Sequence, residues 1–155
     1  RDDVFNPPYS TFEPTKRERN VDNINTIPGV DVSYMDCRIL PNYKIDDVIK
    51  VVNDVANKYK CVKVDIIQRH ESPSTSENSK IVVILKRALK DLRNINAKVY
   101  GIGGNTCAAF FRKVGIETAV WSTVEGTAHK PNEYALIKNM IEDSKVFAYL
   151  PFVEM

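Results

Sequence analysis

Apolar positions recur along the chain at two periods, and the change from one to the other outlines its elements. From 45 to 59 they fall at Ile45, Val48, Ile49, Val52, Val55, Ala56 and Tyr59. Steps of three and four place these residues on one helical stripe. Asp46 and Asp47 in the first turn, and Lys58 and Lys60 in the last, complement the helix dipole. Ahead of this helix the period is two. Val30, Val32, Tyr34 and Asp36 share one face and Ser33, Met35 and Cys37 the other, which predicts a strand that Pro41 ends. Residues 11–19 read as a further extended, solvated stretch. Val62, Val64 and Ile66 mark one face of a strand over 61–67. Strand, strand, helix, strand is the order of a ferredoxin-like unit without its first strand and helix.

The polar, proline-bearing run Glu71-Ser72-Pro73-Ser74-Thr75-Ser76 predicts a domain boundary, with pieces 1–74 and 75–155 on either side. In the second piece the pattern predicts a helix over 81–92, a short strand over 98–102 and a helical stretch over 107–114 that Gly115 stops. A strand over 116–122 and a closing helix over 133–149 follow. That alternation predicts an α/β layer on a parallel sheet. The fold class is α/β, an α+β piece followed by an α/β piece.

At 155 residues the chain holds one ordinary domain or two small ones, and 43% hydrophobic residues suffice for a core. With 22 basic and 20 acidic residues the net charge is only +2, which gives no long-range reason to expect nucleic acid or an acidic membrane. A small-molecule or protein partner fits better. Cys37, Cys61 and Cys107 stand far apart with no C-x-x-C pair, so no zinc knuckle or redox motif is written, and reduced thiols in a cytoplasm are expected. The longest apolar run, 81–85, stops at Lys86, far short of the ~20 residues of a membrane span. The chain opens on Arg1-Asp2-Asp3 without a methionine, which predicts a processed or partial product.

Chemistry concentrates in three loop segments, since α/β proteins bind ligands at strand ends. They are 23–29 leading into Asp36-Cys37-Arg38, then 101–107, then 126–134. By residue type alone, Asn25 is a turn residue beside Pro28 and Gly29. Arg38 is a solvated or paired strand charge, and the glycine segment is a tight turn whose N–H groups could also hold an anion. His129 is a lone loop histidine that needs partners from elsewhere to hold a metal. His70 at a strand end reads as a surface residue.

The order and combination of these segments carry a resemblance. Asn25-Thr26-Ile27-Pro28-Gly29, then Asp36-x-Arg38-x-x-Pro41, then Gly103-Gly104-x-Thr106, then Ala128-His129-x-Pro131-Asn132-Glu133-Tyr134 resembles the C-terminal half of a family of di-zinc metallopeptidases and amidohydrolases. Succinyl-diaminopimelate desuccinylase, acetylornithine deacetylase and carboxypeptidase G are its types. The Gly-Gly-Asn-Thr-Cys-Ala-Ala form looks most like an archaeal-type branch near the desuccinylases. The resemblance implies that residues 1–74 are the second part of a lid that also makes a homodimer, and that 75–155 are the last piece of a catalytic domain. It implies His129 as a metal ligand and Arg38 as the group that binds the substrate carboxylate. Asn25, Gly104 and Asn105 match further substrate-binding positions.

Two positions depart from the family pattern: Cys107 stands where an aspartate is usual, and Ala109 where many members carry arginine. The family's His-x-Asp, bridging Asp, Glu-Glu pair and lid histidine all match positions upstream of this chain. The resemblance therefore implies a parent enzyme that uses zinc, two ions per complete site with cobalt as the alternative, to hydrolyse the amide of an N-acyl amino acid or small peptide. It implies no catalytic residue within this chain, which is expected to be inactive alone. Two rivals stand beside it: a non-catalytic dimerising interaction module, and one half of a split enzyme completed by another chain.

Overall fold

The computed structural model describes residues 1–155 except Ser72, Asn105 and Met155. In chain order its elements are β1 (Thr11–Arg17), β2 (Ser33–Arg38), α1 (Ile45–Ala56), α2 (Lys80–Arg93), α3 (Ala108–Lys113), α4 (Ile137–Tyr149) and a 3-10 turn, Leu150–Phe152. The chain is mixed α/β, with a two-stranded sheet and four helices among the described residues. It divides into two units, residues 1–72 with 100–105 and residues 73–99 with 106–155. The division expected from sequence was contiguous; the structure gives the glycine segment to the first unit.

In the first unit β1 and β2 pair antiparallel, from Thr11 opposite Arg38 to Arg17 opposite Ser33. The register shifts between Pro14 and Lys16, where proline has no N–H to give the ladder. The loop over 18–32 is closed at its base. Arg17 Nε and Nη2 donate to the two carboxylate oxygens of Asp31 at 2.8 and 2.7 Å, and Glu18 N–H donates to the Val32 carbonyl at 2.8 Å. α1 begins with Asp46 and Asp47 in its first turn and ends at Ala56. Asn57 caps it, so Lys58 and Lys60 lie in the turn beyond the helix instead of in its last turn. Leu40 and Ala56 are buried, yet a cavity of about 410 Å³ remains between strand and helix residues, lined by Tyr9, Phe12, Leu40, Tyr43, Val48 and Val52.

In the second unit Leu85, Ala88 and Leu89 of α2 and Val146 of α4 form the core, with Ala97, Ala119, Trp121 and Tyr149 packed against it. α2 ends because Asn94 turns left-handed, φ 53°, and the Ile95 N–H then closes on the Leu89 carbonyl at 3.1 Å. Gly115, φ 83°, ends α3 as the sequence predicts. Thr75 Oγ1 accepts the Thr118 N–H at 3.1 Å, and Arg112 Nη2 donates to the Thr118 carbonyl at 2.7 Å. α4 starts at Ile137, four residues later than expected, because 126–134 ties itself into a loop.

The strands expected over 61–67, 98–102 and 116–122 join no ladder among the described residues, apart from one isolated parallel bridge between Phe5 and Gly101. The parallel sheet read from the alternation is therefore absent among them. A parallel ladder needs a partner strand brought alongside by a crossover, and a period-two pattern in one segment does not supply it. Apolar surface stays uncovered accordingly. Val83, Leu92, Ile116 and Val120 are exposed, and α4 turns Val146 inward while Ile137, Met140, Ile141 and Phe147 stand exposed. α4 thus shows apolar side chains to solvent as well as to the core.

Asp143, on α4, joins three parts of the second unit. Its carboxylate accepts the Thr123 N–H at 2.7 Å and the Thr123 hydroxyl at 2.6 Å, and pairs with Arg93 of α2 at 3.2 Å. Burial pushes the Asp143 carboxyl up, but the Thr123 and Arg93 bonds outweigh it and hold its pKa below the ordinary value. A depressed folded pKa stabilises above the unfolded value and is lost as pH falls through the folded one. The second unit is expected to lose stability on acidification below about pH 4. Asp143→Asn should remove part of that acid sensitivity and cost about 1–3 kcal/mol at neutral pH, measured by denaturant unfolding at both pH values. An unchanged midpoint at neutral pH would show that the network contributes nothing.

Candidate functional site

Three of the residues singled out by sequence lie in the first unit. Arg38 ends β2, exposed, with its Nε donating to Asp36 Oδ2 at 2.9 Å. Asp36 and Arg38 are two apart on one strand and so share a face. The pairing engages one edge of the guanidinium; its Nη1 lies toward the glycine segment, 3.6 Å from where a Cβ on Gly103 would stand. Their strand neighbour Cys37, exposed at its surface, has its thiol pKa raised by desolvation first and by the Asp36 charge second. That disfavours the thiolate needed for nucleophilic or metal-binding chemistry.

Asn25 sits exposed in a turn of the loop over 18–32, flanked by Ile24 and Ile27, both almost wholly exposed. Gly104 follows Gly103 and is exposed, and a Cβ there would meet only Ile102 Cγ2 at 3.9 Å. Neither glycine is required by sterics. Gly101 is. A Cβ on it would fall 2.3 Å from Phe5 Cε1, while its N–H donates to the Val4 carbonyl at 2.9 Å. Phe5 thus seats the glycine segment in the first unit. Sequence reasoning missed Phe5, and the only signal was a glycine inside a strand-like run, where another group approaches the backbone closely. Asn105, the fourth substrate-binding position expected, lies outside the described residues.

His129 belongs to the second unit. It is exposed, and its imidazole makes no hydrogen bond among the described residues, so both ring nitrogens are open. Its backbone is left-handed at φ 61°, between Gly126 at 67° and Asn132 at 59°. Bonds within the loop hold it there. The His129 N–H donates to Glu133 Oε2 at 3.1 Å, Lys130 Nζ to the Gly126 carbonyl at 2.6 Å, and Thr127 Oγ1 to the Tyr134 carbonyl at 3.2 Å.

His129 fits the role of one metal ligand, an open imidazole on a fixed backbone. Among the described residues, however, no three His, Cys, Asp or Glu side chains gather where a metal could be held. One imidazole does not make a tight site, so the described residues do not build one by themselves. Nor is any helix among the described residues long and apolar enough to cross a membrane.

The sequence profile of peptidase family M20/M25/M40 matches residues 10–151, and so reaches into both units and includes Asn25, Arg38, Gly104 and His129. The chain belongs to this family. Among its relatives, a protein of Methanocaldococcus jannaschii named as an uncharacterized metallohydrolase is 41% identical, over 93% of this chain and 38% of its own length. One of Methanococcus maripaludis with the same designation is 35% identical over 93% of this chain and 39% of its length. A succinyl-diaminopimelate desuccinylase of Buchnera aphidicola is 25% identical over 97% and 41%. The chain thus spans about two fifths of the length of the curated relatives it matches. No solved structure matches it significantly.

Because Phe5 occupies the space a side chain at 101 would need, Gly101→Ala should free the glycine segment from the first unit. Amide exchange at Gly103 and Gly104 should speed up, and adding Phe5→Ala should slow it again. Identical exchange in the single variant and the parent chain would show that the ring does not set the segment's place.

Proposed function

We propose that this chain is the carboxylate-recognising and single-ligand portion of a metal-dependent amidohydrolase that cleaves the amide bond of an N-acyl amino acid or small peptide. The observation that carries this reading is Arg38, exposed, braced at Nε by Asp36 and turned at Nη1 toward an open glycine segment. The family match across 10–151 and the metallohydrolase and desuccinylase names of its relatives support it.

The chemistry follows from the residues. A guanidinium with Nε engaged keeps its terminal amino groups for the two oxygens of a free carboxylate, a planar, charge-assisted fit that lysine cannot reproduce. Gly103 and Gly104 leave the backbone open to close approach by the substrate, and the Asn25 amide offers a donor and an acceptor to orient it. His129 presents an imidazole on a backbone that the loop has already fixed. A zinc ion held with ligands from outside this chain would supply Lewis acidity and a water of lowered pKa. The general base would also come from outside. The exposed apolar sides of α2 and α4 support a larger body, the rest of the same polypeptide or a second chain; a homodimer through residues 1–74 and a cytoplasmic location complete the proposal.

In the whole enzyme, Arg38→Ala should raise KM for an N-acyl amino acid about 10- to 100-fold, the worth of a charged, two-pronged contact, with kcat little changed. The matching carboxamide substrate should be turned over alike by both forms. Equal KM for the carboxylate would remove Arg38 from substrate binding. The chain alone is expected to show no amidohydrolase turnover with added zinc or cobalt. Turnover abolished by His129→Ala would contradict the need for outside groups.

A further inference from the structure

We propose that Glu133 is a positioning residue for His129, holding the backbone conformation that aims the imidazole. The inference rests on the reading of His129 as a metal ligand. A histidine carries a Cβ, so the left-handed backbone it adopts here, φ 61°, is disfavoured unless something compensates. Glycine bears no such penalty, and Gly126 takes a left-handed position in the same loop. At 129 the one side chain that bonds the main chain is Glu133, whose Oε2 accepts the His129 N–H at 3.1 Å across four residues. The Lys130 N–H donates to the Thr127 carbonyl at 3.0 Å, a turn with His129 at its third position, while Lys130 Nζ to the Gly126 carbonyl and Thr127 Oγ1 to the Tyr134 carbonyl close the loop around it. Glu133 is thus the side chain that holds the main chain of His129 itself. Released from it, residue 129 is held by the turn bond alone, the right-handed basin gains population, and in that basin its Cα–Cβ bond points away from its present direction. An affinity that depends on one backbone state falls in proportion to the fraction of chains in that state.

The test uses the full chain, with zinc as the probe. Glu133→Ala and Glu133→Gln are compared with the parent by NMR, and thermal unfolding confirms that each variant folds. Glutamine keeps a carbonyl acceptor and loses the charge. The readouts are the HN–Hα coupling and amide exchange of His129, and the zinc-induced shift of its imidazole. His70, in the first unit, serves as the internal control. The Ala variant is expected to lose the left-handed coupling at His129, exchange its amide faster and bind zinc there about fivefold more weakly. The Gln variant should stay near the parent in all three. Unchanged coupling and exchange in the Ala variant overturn the proposal. Equal zinc loss in the Ala and Gln variants also overturns it, because the carboxylate then acts through its charge. If, in the whole enzyme, His129→Ala binds zinc as tightly as the parent does, the ligand reading fails and this inference with it. A failure confined to the Glu133 variants leaves that reading standing.

Discussion

Burial of the Asp143 carboxylate is the constraint on which the second unit depends. A charge at that depth is tolerated only when it is paired and hydrogen-bonded. Arg93 and both donors of Thr123 engage it. This sets α2 and α4 at the spacing that lets Leu89 and Val146 close the core. It also fixes Thr123, the residue from which the chain sets out toward the loop that carries His129. Packing and site geometry in this unit therefore share one anchor.

Helices were legible where their apolar period was complete in itself. α1 and α2 begin within a residue of the reading because Val48, Val52, Leu85 and Leu89 fall at helical spacing whatever surrounds them. Gly115 and β2 were legible for similar local reasons. The segments over 61–67 and 116–122 were not, because a ladder belongs to two strands and the pattern describes only one of them. The late start of α4 has a different cause. Side-chain bonds from Glu133 and Lys130 compete with the helix and win for one turn.

The candidate site was legible as residue types and not as placement. Arg38 and Asp36 fall together because alternate strand residues share a face, which a period of two already implies. The glycine segment goes with the first unit through Phe5, a residue nearly a hundred positions away in sequence, and no local pattern announces such a contact. Membership of peptidase family M20/M25/M40 accounts for why these short motifs recur in this order. The span of about two fifths of the relatives' length accords with the uncovered apolar faces of α2 and α4.

The fork between Arg17 and Asp31 has a consequence for how such a chain can diversify. It fastens the loop over 18–32 at its neck, so the sheet beneath does not sense what happens at the tip. Past a closed neck, each doubling of loop length adds only about 0.6 kcal/mol of closure entropy. Insertions, deletions and exchanged side chains around Asn25 are therefore nearly free of structural penalty. Descendants of one scaffold can vary that tip freely while their strands, and the arginine at the end of the second one, stay as they are.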